Sequence, residues 1–364
     1  MTQRPGEVTR LKTAITELFG IQHPILNAGM GRVALPAMVA AVSNAGGLGV
    51  YGAGPNPPEL TRAAIRQIRA LTDQPFGANV PLALPNGREN AEVLLEEQVP
   101  VINYSMGKGD WIVRRAHAFG GKVVASVNGV HLAQRAEAHG VDAVIAAGHE
   151  AAGHAGPVTT FVLVPRLAEL LKIPIIAAGG VANGAGLVAA LALGAAGVSM
   201  GTRFWTTQES PMHQNFKRKA VELEVGDTIY SDRFDGIPNR MMRTPAAERF
   251  IHMRINPARI LWDSVGIARE LNIPYPKLLL QVLASGPANI AKMMRMSRML
   301  KMHPIAVTTG DLENGMTASG MSVGLVHDLP TIAQLIERIV AEAHAAQHRV
   351  ATMLADQEAC TCVR

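Results

Sequence analysis

The sequence predicts a (β/α)8 TIM barrel with a helical insertion after strand eight and a C-terminal helix. Three observations carry this expectation. Short β-rich apolar runs alternate with Ala/Leu-rich segments of helical length through the first part of the chain, a pattern that means parallel strands joined by crossover helices. Eight such units can be counted, which is enough to close a barrel, whereas open doubly wound sheets usually have fewer strands. The 364 residues also exceed the roughly 250 of a simple barrel, leaving room for an addition.

In order, the strands are expected at 24–28, 47–52, 76–80, 100–105, 122–127, 142–147, 174–178 and 197–201. The helices between them are expected at 35–44, 58–71, 88–97, 110–118, 130–139, 162–171 and 184–193. After the eighth strand the pattern changes. Residues 211–305 read as a mostly helical cap that includes a loop at 232–243 with Gly236 and Pro238. Residues 1–210 and 306–364 then form the barrel. A glycine-bearing loop at 310–324 leads to a terminal helix from about 329 to 353, where Ile332, Leu335, Ile336, Ile339 and Val340 fall at helical spacing.

Composition narrows the function classes. Hydrophobic residues make up 48% of the chain, aromatic residues only 4%. The first figure allows a large core; the second argues against stacking platforms for single-stranded nucleic acid. The formal charge of +5 is spread along the chain, which suits a small anionic ligand and not nucleic acid. Cys360 and Cys362 are the two cysteines, so a disulfide scaffold is excluded and a reducing, cytoplasmic setting is expected. Residues 1–10 lack the apolar core of a signal peptide, and apolar stretches are interrupted before about 18 residues, so no membrane span is expected.

The most informative motifs follow strands seven and eight, at 173–184 and 194–204. Gly179-Gly180 and Gly201-Thr202 stand where barrels frequently bind phosphate. Glycine lets backbone amides approach phosphate oxygens closely, and a helix starting near Asn183 or Thr206 would add its positive end. The run Gly47-Leu-Gly-Val-Tyr-Gly52 matches G-x-G-x-x-G but lies within an apolar strand and precedes Pro55, Pro57 and Pro58. It does not open a helix, so a dinucleotide fingerprint is rejected.

A second strong segment, Gly148 to Gly156, follows strand six on the same face and contains His149, Glu150, Gly153 and His154. Histidine titrates near neutrality and can act as base, acid or anchor for an anion. H-E-x-x-x-H on a glycine-rich loop lacks the helical spacing of a zinc site, so no metal is expected. His154 is the catalytic candidate, with His149 and Glu150 supporting the loop. Gly29, Met30 and Gly31 form a turn after strand one that could lie against a flat ring, and Asn79 ends strand three. The Met-, Lys- and Arg-rich run at 292–302 reads as a helix with an apolar methionine face; an adaptable lid meeting an anionic ligand such as the phosphates of CoA is the sharper reading.

These pieces resemble the nitronate monooxygenase family, formerly the 2-nitropropane dioxygenases, which also contains FMN-dependent enoyl thioester reductases and quinone reductases. The matching segments are Phe19 to Ile25, Val42 to Gly49, Glu150 to His154, Ala177 to Gly180, Met200 to Phe204, Gly310 to Gly315, and Ser319-Gly320. The resemblance implies FMN, with Gly179, Gly180, Gly201 and Thr202 at its phosphate. It places Gly29, Met30, Gly31, Asn79, Ser126 and Gly153 around the flavin and makes His154 the active-site histidine. Two departures stand out. Ser126 occupies a place where some members carry lysine, and with Val158-Thr159-Thr160 it looks like the enoyl reductase branch. Asp235-Gly-Ile-Pro-Asn-Arg240 and the long insertion resemble a subgroup associated with CoA-thioester breakdown, including that of steroid rings.

The resemblance therefore implies an FMN-dependent oxidoreductase acting on a small molecule. The leading expectation is oxidation of an anionic alkyl nitronate with O2. The alternative is reduction of an enoyl-CoA or enoyl-ACP thioester with NAD(P)H as reductant, and a non-catalytic FMN-binding barrel is the third. Phosphate-binding barrels resembling IMP dehydrogenase need a mid-chain cysteine, which is absent. Schiff-base aldolases need lysine at a strand's C-terminal end, where neither Lys122 nor Lys172 lies. The sequence leaves the oligomeric state open, with a homodimer as one option.

Overall fold

The computed structural model describes residues 11–253 and 286–358. Eight strands are present: β1 (Ile25–Asn27), β2 (Gly49–Gly52), β3 (Phe76–Pro81), β4 (Val101–Ser105), β5 (Lys122–Val127), β6 (Ala143–Ala147), β7 (Ile175–Ala178) and β8 (Gly197–Met200). All pair in parallel, β1 lies beside β8, and a bridge from Leu26 to Leu48 closes the ring ahead of β2. The expected barrel is the observed one. Its strands are apolar on both faces because helices cover the outside and side chains fill the inside.

The crossover helices are α2 (Pro36–Asn44), α3 (Pro58–Leu71), α4 (Gly87–Glu96), α5 (Asp110–His117), α6 (Val130–Ala138), α7 (Thr160–Leu170) and α8 (Gly184–Ala192). Ahead of them, α1 (Ala14–Phe19) seats Ile15 and Phe19 among Leu26, Leu48, Val50, Val101, Val124, Ile145 and Ile176. This short helix stoppers the N-terminal end of the barrel and was not expected from the sequence.

Of the mostly helical cap expected at 211–305, residues 254–285 lie outside the described residues, and the described part is largely helical but carries strands as well. The segment after β8 holds α9 (Thr202–Trp205), α10 (Gln214–Val221), α11 (Pro245–His252) and α12 (Gly286–Thr308), but also an antiparallel hairpin of β9 (Thr228–Ser231) and β10 (Asn239–Met242). The expected loop at 232–243 therefore contains a strand. β10 is buried at all four positions because it is paired on both sides. Gly153 bridges Arg240, and Ala318 bridges Met241. The hairpin is thus held directly over the loop that follows β6.

The terminal helix, α13 (Ile332–Glu358), packs against α8 and α2 in the slot of an eighth barrel helix. Ile332, Leu335, Ile336, Ile339 and Val340 are all buried there, as their spacing predicts. The run at 292–302 lies within α12; Cys360 and Cys362 lie outside the described residues. Among the described residues no helix is long and apolar enough to cross a membrane.

Candidate active site

The site is built on the C-terminal ends of the strands. β7 runs into Gly179 and Gly180, whose φ angles are 101° and 78°. Glycine alone adopts such angles without strain. α8 begins just beyond, but two of its first amides are taken from within the protein. Asn183 Oδ1 accepts from the Gly186 amide at 2.9 Å, and Glu342 Oε2 accepts from the Gly184 amide at 2.8 Å. Those two amides are therefore not left for a ligand. What remains for an anion are the glycine turn and the next strand's turn.

β8 runs into Gly201 and Thr202, and the helix expected near Thr206 starts at Thr202 itself. The first amides of a helix have no partner within it. Thr202 Oγ1 accepts from the Gly320 amide at 2.9 Å, which leaves the hydroxyl its own proton to donate. The neighbouring Ser319 hydroxyl is fully buried and has no partner among the described residues. Gly320 approaches the β6 loop so closely that a Cβ on it would meet the Glu150 carbonyl at 2.7 Å. The Glu150 carboxyl lies against the Gly180 turn, its carbon 4.0 Å from where a Cβ on Gly180 would be, and its Oε2 accepts from the Thr160 amide at 2.8 Å and hydroxyl at 2.9 Å. The Thr202 and Ser319 hydroxyls can both donate beside the two glycine turns, and these residues fit a phosphate-bearing cofactor.

The arc formed by β1, β3, β4 and β5 supplies the other wall. A Cβ on Gly29 would lie 2.3 Å from that of Asn79, so the β1 turn rests directly on the end of β3. Met30 reaches across to β8, its sulfur 3.7 Å from where a Cβ on Gly201 would be. The Gly31 carbonyl accepts from His303 Nε2 at 3.3 Å, and burial holds that imidazole below its ordinary pKa. Asn79 Nδ2 donates to Asn103 Oδ1 at 2.6 Å, and Asn103 Nδ2 donates to Ser126 Oγ at 3.1 Å. Asn103 is the missed member of this ladder. Its signal was a polar residue breaking the apolar run of strand four.

The loop after β6 carries the titrating groups. Arg240 donates to the His149 carbonyl at 3.2 and 3.0 Å, to His149 Nε2 at 2.9 Å and to Thr228 Oγ1 at 2.9 Å. A guanidinium only donates, so His149 Nε2 accepts, and Nδ1–H faces the Gly156 carbonyl at 3.1 Å. His149 is thus a structural residue, as expected. Arg240→Met should destabilise the fold by about 2–3 kcal/mol by breaking this buried network. A thermal melt checks this, and an unchanged Tm would contradict it.

His154 is different. It is 26% exposed, and its Nε2 lies 2.7 Å from Asp235 Oδ2, on a side chain only 4% exposed. Gly153, at φ 71°, turns the loop so that this ring meets the hairpin. Burial disfavours the Asp235 carboxylate, but hydrogen bonds from His154, the Ile237 amide and Asn239, with the field of the imidazole, outweigh it and hold its pKa below the ordinary range. No local feature of the sequence marks this acidic partner, because Asp235 arrives from 81 residues away. A buried carboxylate holding a partly exposed imidazole is an arrangement for proton transfer.

The nitronate monooxygenase family profile matches residues 12–93 and 86–342. In Rhodococcus jostii, (3aS,4S,5R,7aS)-5-hydroxy-7a-methyl-1-oxo-octahydro-1H-indene-4-carboxyl-CoA dehydrogenase is 35% identical over 344 residues, covering 92% of this chain and 97% of that one. A probable nitronate monooxygenase of Staphylococcus aureus is 30% identical over 271 residues, 62% of this chain and 76% of that one. The structure of FabK from Thermotoga maritima superposes with a TM-score of 0.82 at 36% identity, covering 94% and 99% of the two chains. A flavin-site barrel with such relatives is an enzyme, an oxidoreductase. It belongs to the nitronate monooxygenase family.

Proposed function

We propose that this enzyme is FMN-dependent and exchanges a proton and a hydride at adjacent carbons of a carboxyl-CoA thioester, with the described residues of 211–305 acting as its cap. The observation that carries this reading is the His154–Asp235 pair. A nitronate is already an anion and needs no base. The carbon beside a thioester is acidified but still holds its proton, and a base must take it. Nε2 of His154 is engaged by Asp235, so Nδ1 is the nitrogen that takes the proton from this carbon or, in the reductive direction, returns it. The buried carboxylate stabilises the imidazolium that results. Bound FMN supplies the acceptor, or in reverse the donor, of the hydride at the neighbouring carbon.

The single-phosphate cofactor is supported by the compact pair of turns at Gly179-Gly180 and Gly201-Thr202 and by the rejection of the dinucleotide fingerprint. The substrate class is supported by the carboxyl-CoA dehydrogenase of Rhodococcus jostii, matched over nearly the full length of both chains. The family profile and the Staphylococcus relative favour a second reading, oxidation of an alkyl nitronate with O2, in which protonated His154 would hold the anion.

Anaerobic mixing of the purified holoenzyme separates the two. Bleaching of the flavin band by a saturated carboxyl-CoA, or by NADH or NADPH with recovery on adding an enoyl-CoA, is the expected result. Oxygen uptake with propionate-3-nitronate, with no response to either thioester or nicotinamide, would establish the second reading instead.

A further inference from the structure

We infer that Asn239 is a positioning residue that holds the Asp235 carboxylate against His154 and, by sharing its Oδ2, moderates its pull on the ring, an inference that rests on the reading of His154 as the proton-transferring group. β10 places Asn239 beside Arg240, whose amide donates to the Gly153 carbonyl at 2.8 Å and whose carbonyl accepts from the Gly153 amide at 3.1 Å. The residue before His154 is therefore stapled to the residue after Asn239. From there, Asn239 Nδ2 donates to Asp235 Oδ2 at 3.2 Å and lies 3.4 Å from His154 Nε2.

An amide nitrogen donates and cannot accept. His154 Nε2 thus faces one acceptor, Asp235 Oδ2, and one donor, Asn239 Nδ2. Its proton goes to the carboxylate, and an unprotonated Nε2 would set its lone pair against the carboxylate oxygen. Turning the Asn239 amide over would bring Oδ1 against the same oxygen, two acceptors facing each other. The arrangement has one consistent protonation: Nε2–H toward Asp235, and Nδ1 basic.

Asn239 makes this arrangement at a cost. It is 2% exposed, and its Oδ1 has no partner among the described residues. On its other side Nδ2 meets the Met299 sulfur of α12 at 3.7 Å. A buried acceptor left unsatisfied destabilises the fold, so an apolar side chain would serve packing better. The donor directed at Asp235 accounts for the amide. The other titratable groups around the loop are His149 and Glu150 within it, Tyr230 on β9, whose hydroxyl donates to the Ala155 carbonyl at 2.9 Å, and Arg240 on β10. All are engaged elsewhere; among the described residues Asp235 alone forms an ion pair with the His154 ring.

The test uses the holoenzyme with two variants, Asn239→Leu, which removes the donor at similar volume, and Asn239→Asp, which replaces it with a second carboxylate. Flavin content establishes that each is folded. Nitrogen-15 NMR of histidine-labelled protein reads the tautomer without turnover. Wild type and Asn239→Leu should both show His154 protonated at Nε2 when neutral, because Asp235 remains, with the ring keeping its second proton to higher pH in Asn239→Leu. With a carboxyl-CoA substrate, Asn239→Leu should lower kcat about tenfold with little change in KM. Both changes leave Asp235 to act more strongly on the imidazole, so the acid limb of the kcat/KM profile should move to higher pH, further in Asn239→Asp. An unmoved acid limb and an unmoved ring titration in Asn239→Leu, whatever its rate, would overturn the inference. Loss of the reading beneath it looks different: His154→Ala would then leave turnover intact.

Discussion

His154→Ala is expected to retain its flavin and to lose turnover of a carboxyl-CoA by about 10²- to 10⁴-fold, the usual contribution of a positioned acid or base. The two effects separate because the groups do. The glycine turns proposed to hold the phosphate lie after β7 and β8, whereas the polar partners of the His154 side chain are Asp235 and Asn239. The absorbance of bound flavin should therefore match wild type while anaerobic reduction by the thioester slows. The same variant carries a signature in stability. The Asp235 carboxyl is held below its ordinary value of 3.8 in the folded enzyme, against the pull of burial. A carboxyl depressed on folding contributes stability that is present above its unfolded pKa and is lost as pH falls through the folded one. Removing His154 takes away the main donor, and burial then pushes the carboxyl upward. The variant should lose this contribution at neutral pH, and its stability should fall less steeply than wild type below about pH 4. Equal turnover in the two proteins would remove His154 from the mechanism.

The asymmetry between what could and could not be read in advance follows from where each signal lies on the chain. The eight strands were legible because each is a continuous apolar run, and the turns after β7 and β8 because their glycines sit directly behind such runs. α1 escaped because it is six residues long, and Ile15 and Phe19 make a single helical spacing. Its capping box uses Thr16 in place of the usual Glu or Gln. β10 escaped because Asn-Arg-Met-Met has no β-branched or aromatic residue to mark it. It is a strand because β9 pairs with one edge of it while the β6 loop and Ala318 bridge the other. Missing β10 meant missing the partner of His154. The segment Asp235 to Arg240 was singled out through its resemblance to a subgroup, yet nothing local shows that Asp235 folds back onto a loop 81 residues earlier. Asn103 is the intermediate case: a polar residue inside an apolar strand is visible in the sequence, but its partners on β3 and β5 are set by register alone.

Gly179→Ala should weaken FMN binding by roughly 5- to 150-fold, the equivalent of about 1–3 kcal/mol of backbone strain. The residue sits at φ 101°, where a side chain is strained whatever the space, and here there is none. The new Cβ would lie 2.8 Å from the Ala151 amide, 3.1 Å from the Ala151 Cβ and 3.1 Å from Thr160 Oγ1. Ala151 belongs to the same loop as His154, and Thr160 opens α7 while holding Glu150, so neither yields without disturbing the site. The turn itself must move, and with it the amides of Gly179 and Gly180. Titration of FMN into the apoprotein, followed by flavin fluorescence, measures the loss. Gly201→Ala separates strain from ligand contact. Gly201 has an ordinary φ of −96°, and a Cβ there would meet Ala28 and Met30 at a comfortable 3.7 Å. The apoprotein of that variant should melt where wild type does. A fall in FMN affinity with an unchanged apoprotein Tm would mean that the added methyl occupies space belonging to the phosphate. Full affinity in Gly201→Ala would show that the phosphate lies elsewhere.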